Sequence, residues 1–233
     1  MNSIVLNNPD GIITDFLQLQ HLNQVLKLKV GDQVRCTLIN QGIGLGKIKD
    51  LTYNYCQIEL GPLTLNFKPW FDLLIGVSRP QTTKKILEHG TTFGARSFHF
   101  FQAELSEKSY FDSKIFTSSI GHDLLINGLS QSATYCHLPT IKCSKYNPSN
   151  EYINTPSKFF LDLEGNKSFS DVNLSFDQPI TLALGPERGL TLREREVFHQ
   201  AGFTSVKISS SILRVEHAVY SAVSQLELIR HLY

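Results

Sequence analysis

The sequence has little that would staple it together or draw it to a charged or lipid surface. Its four cysteines, Cys36, Cys56, Cys136 and Cys143, form no C-x-x-C pair. A chain of 233 residues buries a sizeable core without disulfides, so reduced, mostly structural thiols are expected. Cys136-His137 with Cys143 falls short of the four closely spaced ligands of a zinc site, and no metal is expected. Charge of one sign is also lacking: 22 Lys plus Arg face 21 Asp plus Glu, a net charge of +1. That excludes a globally basic nucleic-acid binder and leaves only local basic patches. No apolar run approaches the ~20 residues of a membrane span. The start, MNSIVLNNPDG, lacks the basic and apolar regions of a secretory signal. A soluble cytoplasmic protein with no membrane partner is expected. There is no internal repeat, and without a G-x-S-x-G elbow Ser209–Ser211 is not expected to do hydrolase chemistry.

What is present centres on Thr181 to Arg214. Pro179 to Leu184 is an apolar run bounded by proline and glycine, which predicts a strand buried on both faces. Thr191 with Glu194 three residues on is a capping box, and Gly202 supplies a left-handed residue after Ala201, so the pattern predicts a helix over 191–201. Gly185-Pro186-Glu187-Arg188-Gly189 joins the two, with glycines that let backbone approach a ligand. A second strand, Ser205 to Ser209, leads to another turn and a last helix. Turns leaving the ends of strands are where an α/β sheet places its ligand.

Residues 1–67 read as mainly β, in the manner of a small barrel or sandwich. Ser3–Leu6, Gln33–Ile39, Lys47–Leu51 and Tyr53–Leu60 are strand candidates, and Leu17 to Leu26 carries a helical stripe. Gly42-Ile43-Gly44-Leu45-Gly46 has two readings, a cofactor-cradling turn or the glycine-rich turn of a β-hairpin; the alternating residues that follow favour the hairpin. From Phe71 onward strand and helix alternate, which predicts a mostly parallel sheet. Asp72–Val77, Arg96–Phe101, Phe159–Leu163 and Ile180–Leu184 are its strands; Thr82–His89, ended near Gly90, and Asp123–Tyr135 are helices. The domain boundary is expected near Asn66 to Phe71, and 144–157 and 164–178 are expected surface loops. The last helix, Arg214 to His231, bears Val215, Val219, Ala222, Val223, Leu226 and Ile229 on one stripe, which serves either the core or a dimer face.

Leu184-Gly185-Pro186-Glu187-Arg188-Gly189, Glu194 and Glu196, Ala201-Gly202-Phe203, Ile212-Leu213-Arg214-Val215-Glu216 and Ala218 follow one another at spacings that resemble the signature of the ribosomal small-subunit RNA uracil-N3 methyltransferases, the RsmE family. Ser78-Arg79-Pro80-Gln81 is similar to that family's P-R-P-K, and Glu107-Lys108-Ser109-Tyr110 to its E-K-S-Y. Leu129 through Pro139 is similar to its glutamine-containing helix ending in L-P. The resemblance covers most of the chain. It implies an α/β fold: a PUA-like β-barrel for RNA over 1–67, then a SPOUT methyltransferase domain over 68–233 with a C-terminal trefoil knot, acting as a homodimer.

By the same resemblance S-adenosylmethionine lies against Leu184, Gly185, Pro186 and Gly189 in one loop and Ile208, Ser209, Ile212 and Leu213 in another, with Leu163 in a third. The substrate implied is a uridine of 16S ribosomal RNA, alone or in the small ribosomal subunit. Arg214 is the expected catalytic residue, a cation for charge developing on uracil oxygens; the alternative is an arginine paired with Glu187 or Glu216. Arg79, Lys84, Lys85 and Lys108 are expected to grip RNA phosphates, or else to form a solvated surface. Some of the family's polar anchors are replaced, by Leu105, Ser130, Thr134 and Ser211. His217 is new at its position, with a buried, hydrogen-bonded role expected ahead of that of a general base. These departures leave a second reading, a degenerate relative that binds RNA or cofactor in ribosome assembly without turnover.

Overall fold

The computed structural model describes residues 2–64 and 67–232. Asn66, at the expected domain junction, and Met1 and Tyr233, at the ends of the expected spans, lie outside the described residues. The chain divides into two compact units: residues up to Lys68 together with Ile126–Leu138, and Pro69–Leu125 together with the chain from Pro139 onward.

The first unit is a nearly closed, barrel-like sheet. Its strands are β1 (Ile4–Leu6), β2 (Ile12–Ile13), β3 (Gln33–Leu38), β4 (Gly42–Leu51) and β5 (Cys56–Thr64), in the order β1-β3-β4-β5-β2. Helix α1 (Phe16–Gln20) runs into a π-helical turn, His21–Val25. Leu19 and Leu22 from this segment enter the core beside Val34, Cys36, Leu38, Ile48 and Ile58. Burial pushes the Cys36 thiol up to about 12 and that of Cys56 up to about 11, so both stay protonated and inert.

The run Gly42 to Gly46 forms part of a hairpin but is not its turn. Leu38 pairs with Gly42 and Cys36 with Gly44, so the chain reverses at 39–41, with Asn40 at φ +60°. The glycines lie within β4 because β5 crosses it closely. A Cβ at Gly44 would stand 2.5 Å from the Pro62 carbonyl oxygen, and one at Gly42 2.8 Å from that of Thr64. Residues 126–138 complete this unit: the Ser130 carbonyl accepts the N–H of Asn2 at 2.9 Å and that of Ser3 at 3.0 Å, and the Ser130 hydroxyl donates to the Ser3 carbonyl.

The second unit is a six-stranded, wholly parallel sheet. In chain order its elements are β6 (Phe71–Gly76), α2 (Pro80–Thr92), β7 (Ala95–Phe101), α3 (Lys108–Phe111), α4 (Lys114–Thr117), the start of α5 (Ile120–Ser132), β8 (Thr140–Ser144), β9 (Lys158–Leu161), β10 (Ile180–Leu184), α6 (Leu192–Gln200), β11 (Thr204–Val206) and α7 (Val215–Leu232). The strand order is β11-β9-β10-β6-β7-β8. Every residue of β6 and of β10 is buried, as strands covered on both faces require. Leu74, Phe160 and Ala183 pack with Phe198 of α6 and with Phe203. α7 packs against α2, burying Val215, Val219, Ala222, Val223 and Leu226. Its apolar stripe is therefore intramolecular core.

Further details differ from the sequence pattern: α5 is Ile120–Ser132 where 123–135 is expected, and the strand after α6 ends at Val206 where Ser209 is expected. α2 runs past Gly90 to Thr92, because Gly90 sits where a Cβ would stand 2.7 Å from the Phe98 ring; the glycine makes room for packing rather than ending the helix. β8 is a strand with no signal in the pattern, since its residues, TIKCS, are half exposed and carry little alternation. The capping box at α6 is present in full: the Thr191 hydroxyl accepts the Glu194 N–H at 3.2 Å and the Glu194 carboxylate accepts the Thr191 N–H at 2.9 Å. Among the described residues no helix is long and apolar enough to cross a membrane.

Candidate active site

The loop after β10 is held from below and from the side. Pro186 lies against Gly76 at the end of β6, where a Cβ would stand 2.5 Å from Pro186 Cδ. The Pro186 carbonyl accepts the Gly189 N–H at 2.9 Å, closing a tight turn that leaves Gly189 at φ +76°. Gly185 lets the turn fold back on itself, since a Cβ there would meet the Gly189 carbonyl carbon at 2.7 Å. The Glu187 carboxylate accepts the Arg79 backbone N–H at 2.8 Å, tying the loop to the start of α2.

Two further loops face it. After β9, Asp162 receives Arg195 of α6 at 3.4 Å, and Glu164 also pairs with that guanidinium. After β11, the Ile208 carbonyl accepts the Gln225 side-chain N–H at 2.9 Å from α7, and the Ser209 hydroxyl accepts the Ser211 N–H at 3.0 Å. Together these loops and the first turn of α7 enclose a cleft of about 340 Å³ at the carboxyl ends of β9, β10 and β11. All nine residues expected to hold a cofactor, Leu163, Leu184, Gly185, Pro186, Gly189, Ile208, Ser209, Ile212 and Leu213, line it. So do residues that the sequence motifs do not assign to the cofactor site, among them Leu161, Asp162, Arg188, Arg195, Val215 and Ala218. Arg195 has one usable signal, its place in the first turn of a helix that follows the glycine loop directly.

Arg214 does not line the cleft itself. It immediately precedes α7, its carbonyl accepting the Ala218 N–H at 2.8 Å, and its side chain is exposed with no ion pair among the described residues. Neither expected alternative partner is engaged with it. Glu187 holds Arg79, and the buried Glu216 carboxylate accepts Lys85 Nζ at 3.2 Å. Burial alone would raise the Glu216 carboxyl, but its backbone hydrogen bond and Lys85 hold it below the usual carboxylate range. His217 is exposed, which corrects the expectation of a buried structural histidine: its place in the first turn of α7 points away from the stripe that packs on α2.

Of the cations expected to meet RNA, Arg79 and Lys108 are exposed, Lys84 is half-buried on α2, and the Lys85 ammonium is committed to Glu216. Ser130 is buried and spends its hydroxyl on the Ser3 carbonyl, so it works as a structural tie in the first unit.

Comparison with known proteins assigns this architecture. A family model described as an RNA methyltransferase domain matches residues 66–227, and one described as an RNA methyltransferase PUA domain matches 13–61. The chain is 31% identical to ribosomal RNA small subunit methyltransferase E 1 of Borreliella burgdorferi over 91% of this chain and 90% of that one. It is 30% identical to ribosomal RNA small subunit methyltransferase E of Treponema pallidum, over 87% and 79% respectively. Among solved structures, ribosomal RNA small subunit methyltransferase E of Neisseria gonorrhoeae, bound to S-adenosyl methionine, superposes with a TM-score of 0.77 at 18% identity, covering 98% of each chain. A Legionella pneumophila structure in complex with the same cofactor gives 0.79 at 16%, again over 98% of each.

A PUA-like sheet joined to a parallel-sheet domain of this topology is the fold of the SPOUT class of RNA methyltransferases. Within that class the chain belongs to the ribosomal RNA small subunit methyltransferase E family.

Proposed function

We propose that the protein is an S-adenosylmethionine-dependent methyltransferase acting on N3 of a uridine in 16S ribosomal RNA. The observation that carries this reading is the convergence of three strand-end loops on one cleft, with the family's cofactor-loop residues on its walls. The cleft fits the cofactor chemically. Leu184, Pro186, Ile212, Leu213 and Val215 offer apolar walls for an adenine, and the tight turn at Gly185 to Gly189 brings backbone groups to its edge. When bound, S-adenosylmethionine supplies an electrophilic methyl group.

The remaining work falls to the chain's own side chains. Uracil N3 carries an imide proton whose loss spreads negative charge over two carbonyl oxygens, and a fixed cation beside them lowers that cost. Arg214 suits this role because its side chain is exposed and unpaired among the described residues and because it falls in sequence between the cleft-lining Leu213 and Val215. Arg195, held by Asp162 and Glu164, has a positioning role: it braces one loop against α6. Arg79, Lys84 and Lys108 would meet RNA phosphates, and Lys85 only by giving up Glu216.

In this reading the PUA-like domain, 1–67, grips RNA and the domain over 68–233 performs the transfer. The protein works in the cytoplasm as a homodimer. With the α7 stripe used internally, the exposed Leu163 and Ile212 at the cleft rim favour a second copy there; light scattering that gave a monomer mass would remove that part. The main test offers labelled S-adenosylmethionine and small subunits from cells lacking the modification. Methyl transfer to a uridine is expected. Cofactor binding with no transfer would leave a binding protein instead.

A further inference from the structure

We propose that a second cleft, beside the cofactor cleft, holds a backbone phosphate of the RNA strand next to the target nucleotide. This rests on the reading of the protein as an RNA methyltransferase. The second cleft, of about 370 Å³, shares Ile208 and Ser209 with the first and is otherwise lined by Gly165, Asn166, Lys167, Ser168, Asp171, Lys207 and Ser210. A shared wall means that a ligand spanning both clefts passes over residues 208–209.

The local structure places the two lysines together. Gly165 lets the loop after β9 lie against β11, since a Cβ there would stand 2.9 Å from Ser205 Oγ and 3.2 Å from the Lys207 nitrogen. The Lys207 N–H then donates to the Lys167 carbonyl at 2.7 Å, which fixes the two residues side by side. Both side chains are exposed, and neither ammonium is in an ion pair among the described residues. Asp171, a carboxylate in the lining, is turned back on its own segment: it accepts the Ser168 N–H at 2.8 Å and the Ser168 hydroxyl at 2.7 Å. Those bonds, with Lys167 nearby, keep its carboxyl below the usual range.

The lining distinguishes the ligand. A purine needs apolar walls, and Ile208 is the one large apolar side chain here. Two ammoniums with Ser209 and Ser210 suit a phosphate, which lysines bind as point charges without reading sequence. Arg188, also without an ion pair among the described residues, continues this cationic margin along the first cleft. A chain of net charge +1 thus gathers uncommitted cations where the strand must pass.

The test compares the parent with Lys167→Gln/Lys207→Gln and Lys167→Arg/Lys207→Arg. Filter binding with deproteinised small-subunit ribosomal RNA is run across a salt series, with cofactor affinity measured separately by calorimetry. The Gln pair should weaken RNA binding about tenfold at low salt and flatten the log–log salt slope by about 0.7, as expected for one phosphate contact on a single strand. The Arg pair should bind as the parent does, and all three should hold the cofactor equally. An unchanged slope in the Gln pair, or equal losses in both pairs, overturns the proposal. So does tight binding of inorganic phosphate by the parent without RNA, which would make this a free-phosphate site. If the slopes change as expected but no protein transfers a methyl group, the cleft stands and the proposed reaction falls. If methyl transfer occurs with an unaltered slope, the reaction stands and the phosphate cleft falls.

Discussion

The carboxylate of Glu187 accepts the backbone N–H of Arg79 at 2.8 Å, 108 residues away in sequence. The bond anchors the turn over the cleft, and it uses the peptide of Arg79, not its side chain. Glu187→Gln should therefore weaken S-adenosylmethionine binding about three- to tenfold, the scale of one charge-assisted hydrogen bond at a partly solvated site. Arg79→Ala should leave cofactor affinity unchanged while reducing RNA affinity. Calorimetry with each ligand separates the two, and a cofactor loss in Arg79→Ala would refute this division.

Arg214→Ala should lower kcat by about 10²–10³, the scale seen when a fixed donor to developing charge is removed, with cofactor Kd changed less than about threefold. Losses of equal size in both would make Arg214 a binding residue. Single-turnover kinetics alongside calorimetry gives the comparison.

Gly90→Ala sets two effects against each other. Alanine is the better helix former by about 1 kcal/mol. Its methyl group, however, would stand 2.7 Å and 2.9 Å from two atoms of the buried Phe98 ring, and overpacking of that kind costs about 1–3 kcal/mol. The clash should win, and a chemical denaturation midpoint above that of the parent would show that the core relaxes more easily than this.

His99 gives the second unit a defined acid response. Burial lowers its pKa below 6.5; Glu151 at 4.0 Å opposes that shift, Lys142 adds to it, and the Tyr152 hydroxyl lies 3.2 Å from Nδ1. Below about pH 6.5 the unfolded chain takes up a proton that the folded ring still refuses, so the unfolded state binds more protons there and stability falls with pH. The contribution is full above that value and is lost as pH drops through the folded pKa. His99→Gln should flatten the Tm-against-pH curve between about pH 7 and pH 5; an equally steep curve would assign the acid response to other groups.

The sequence discloses elements that carry their own local signal. The apolar run to Leu184, the Thr191–Glu194 box and Gly202 at φ +80° each act through near neighbours, and each stands where the pattern puts it. Glycines mislead when their reason is a distant partner: Gly44 is bare for Pro62 and Gly90 for Phe98. The cleft shows the same division. Its loop residues follow from an ordered motif, whereas the Asp162–Arg195 brace and the pairing of Lys167 with Lys207 depend on contacts made only after the chain has folded. His217, expected in a buried place, is turned to solvent by its own position on α7.

The wholly parallel sheet also bears on how the protein matures. Each strand pairing closes a long loop before it gains anything, so folding is expected to be slow. One wall of the cleft comes from 208–213 and another from the start of α7. A nascent chain that has formed β6 to β10 therefore has a sheet without a binding site, and the site comes into being only when the last helix docks on α2. Ligand affinity is thus confined to finished molecules, and a bound ligand acts as a latch, holding the docked last helix in place by mass action.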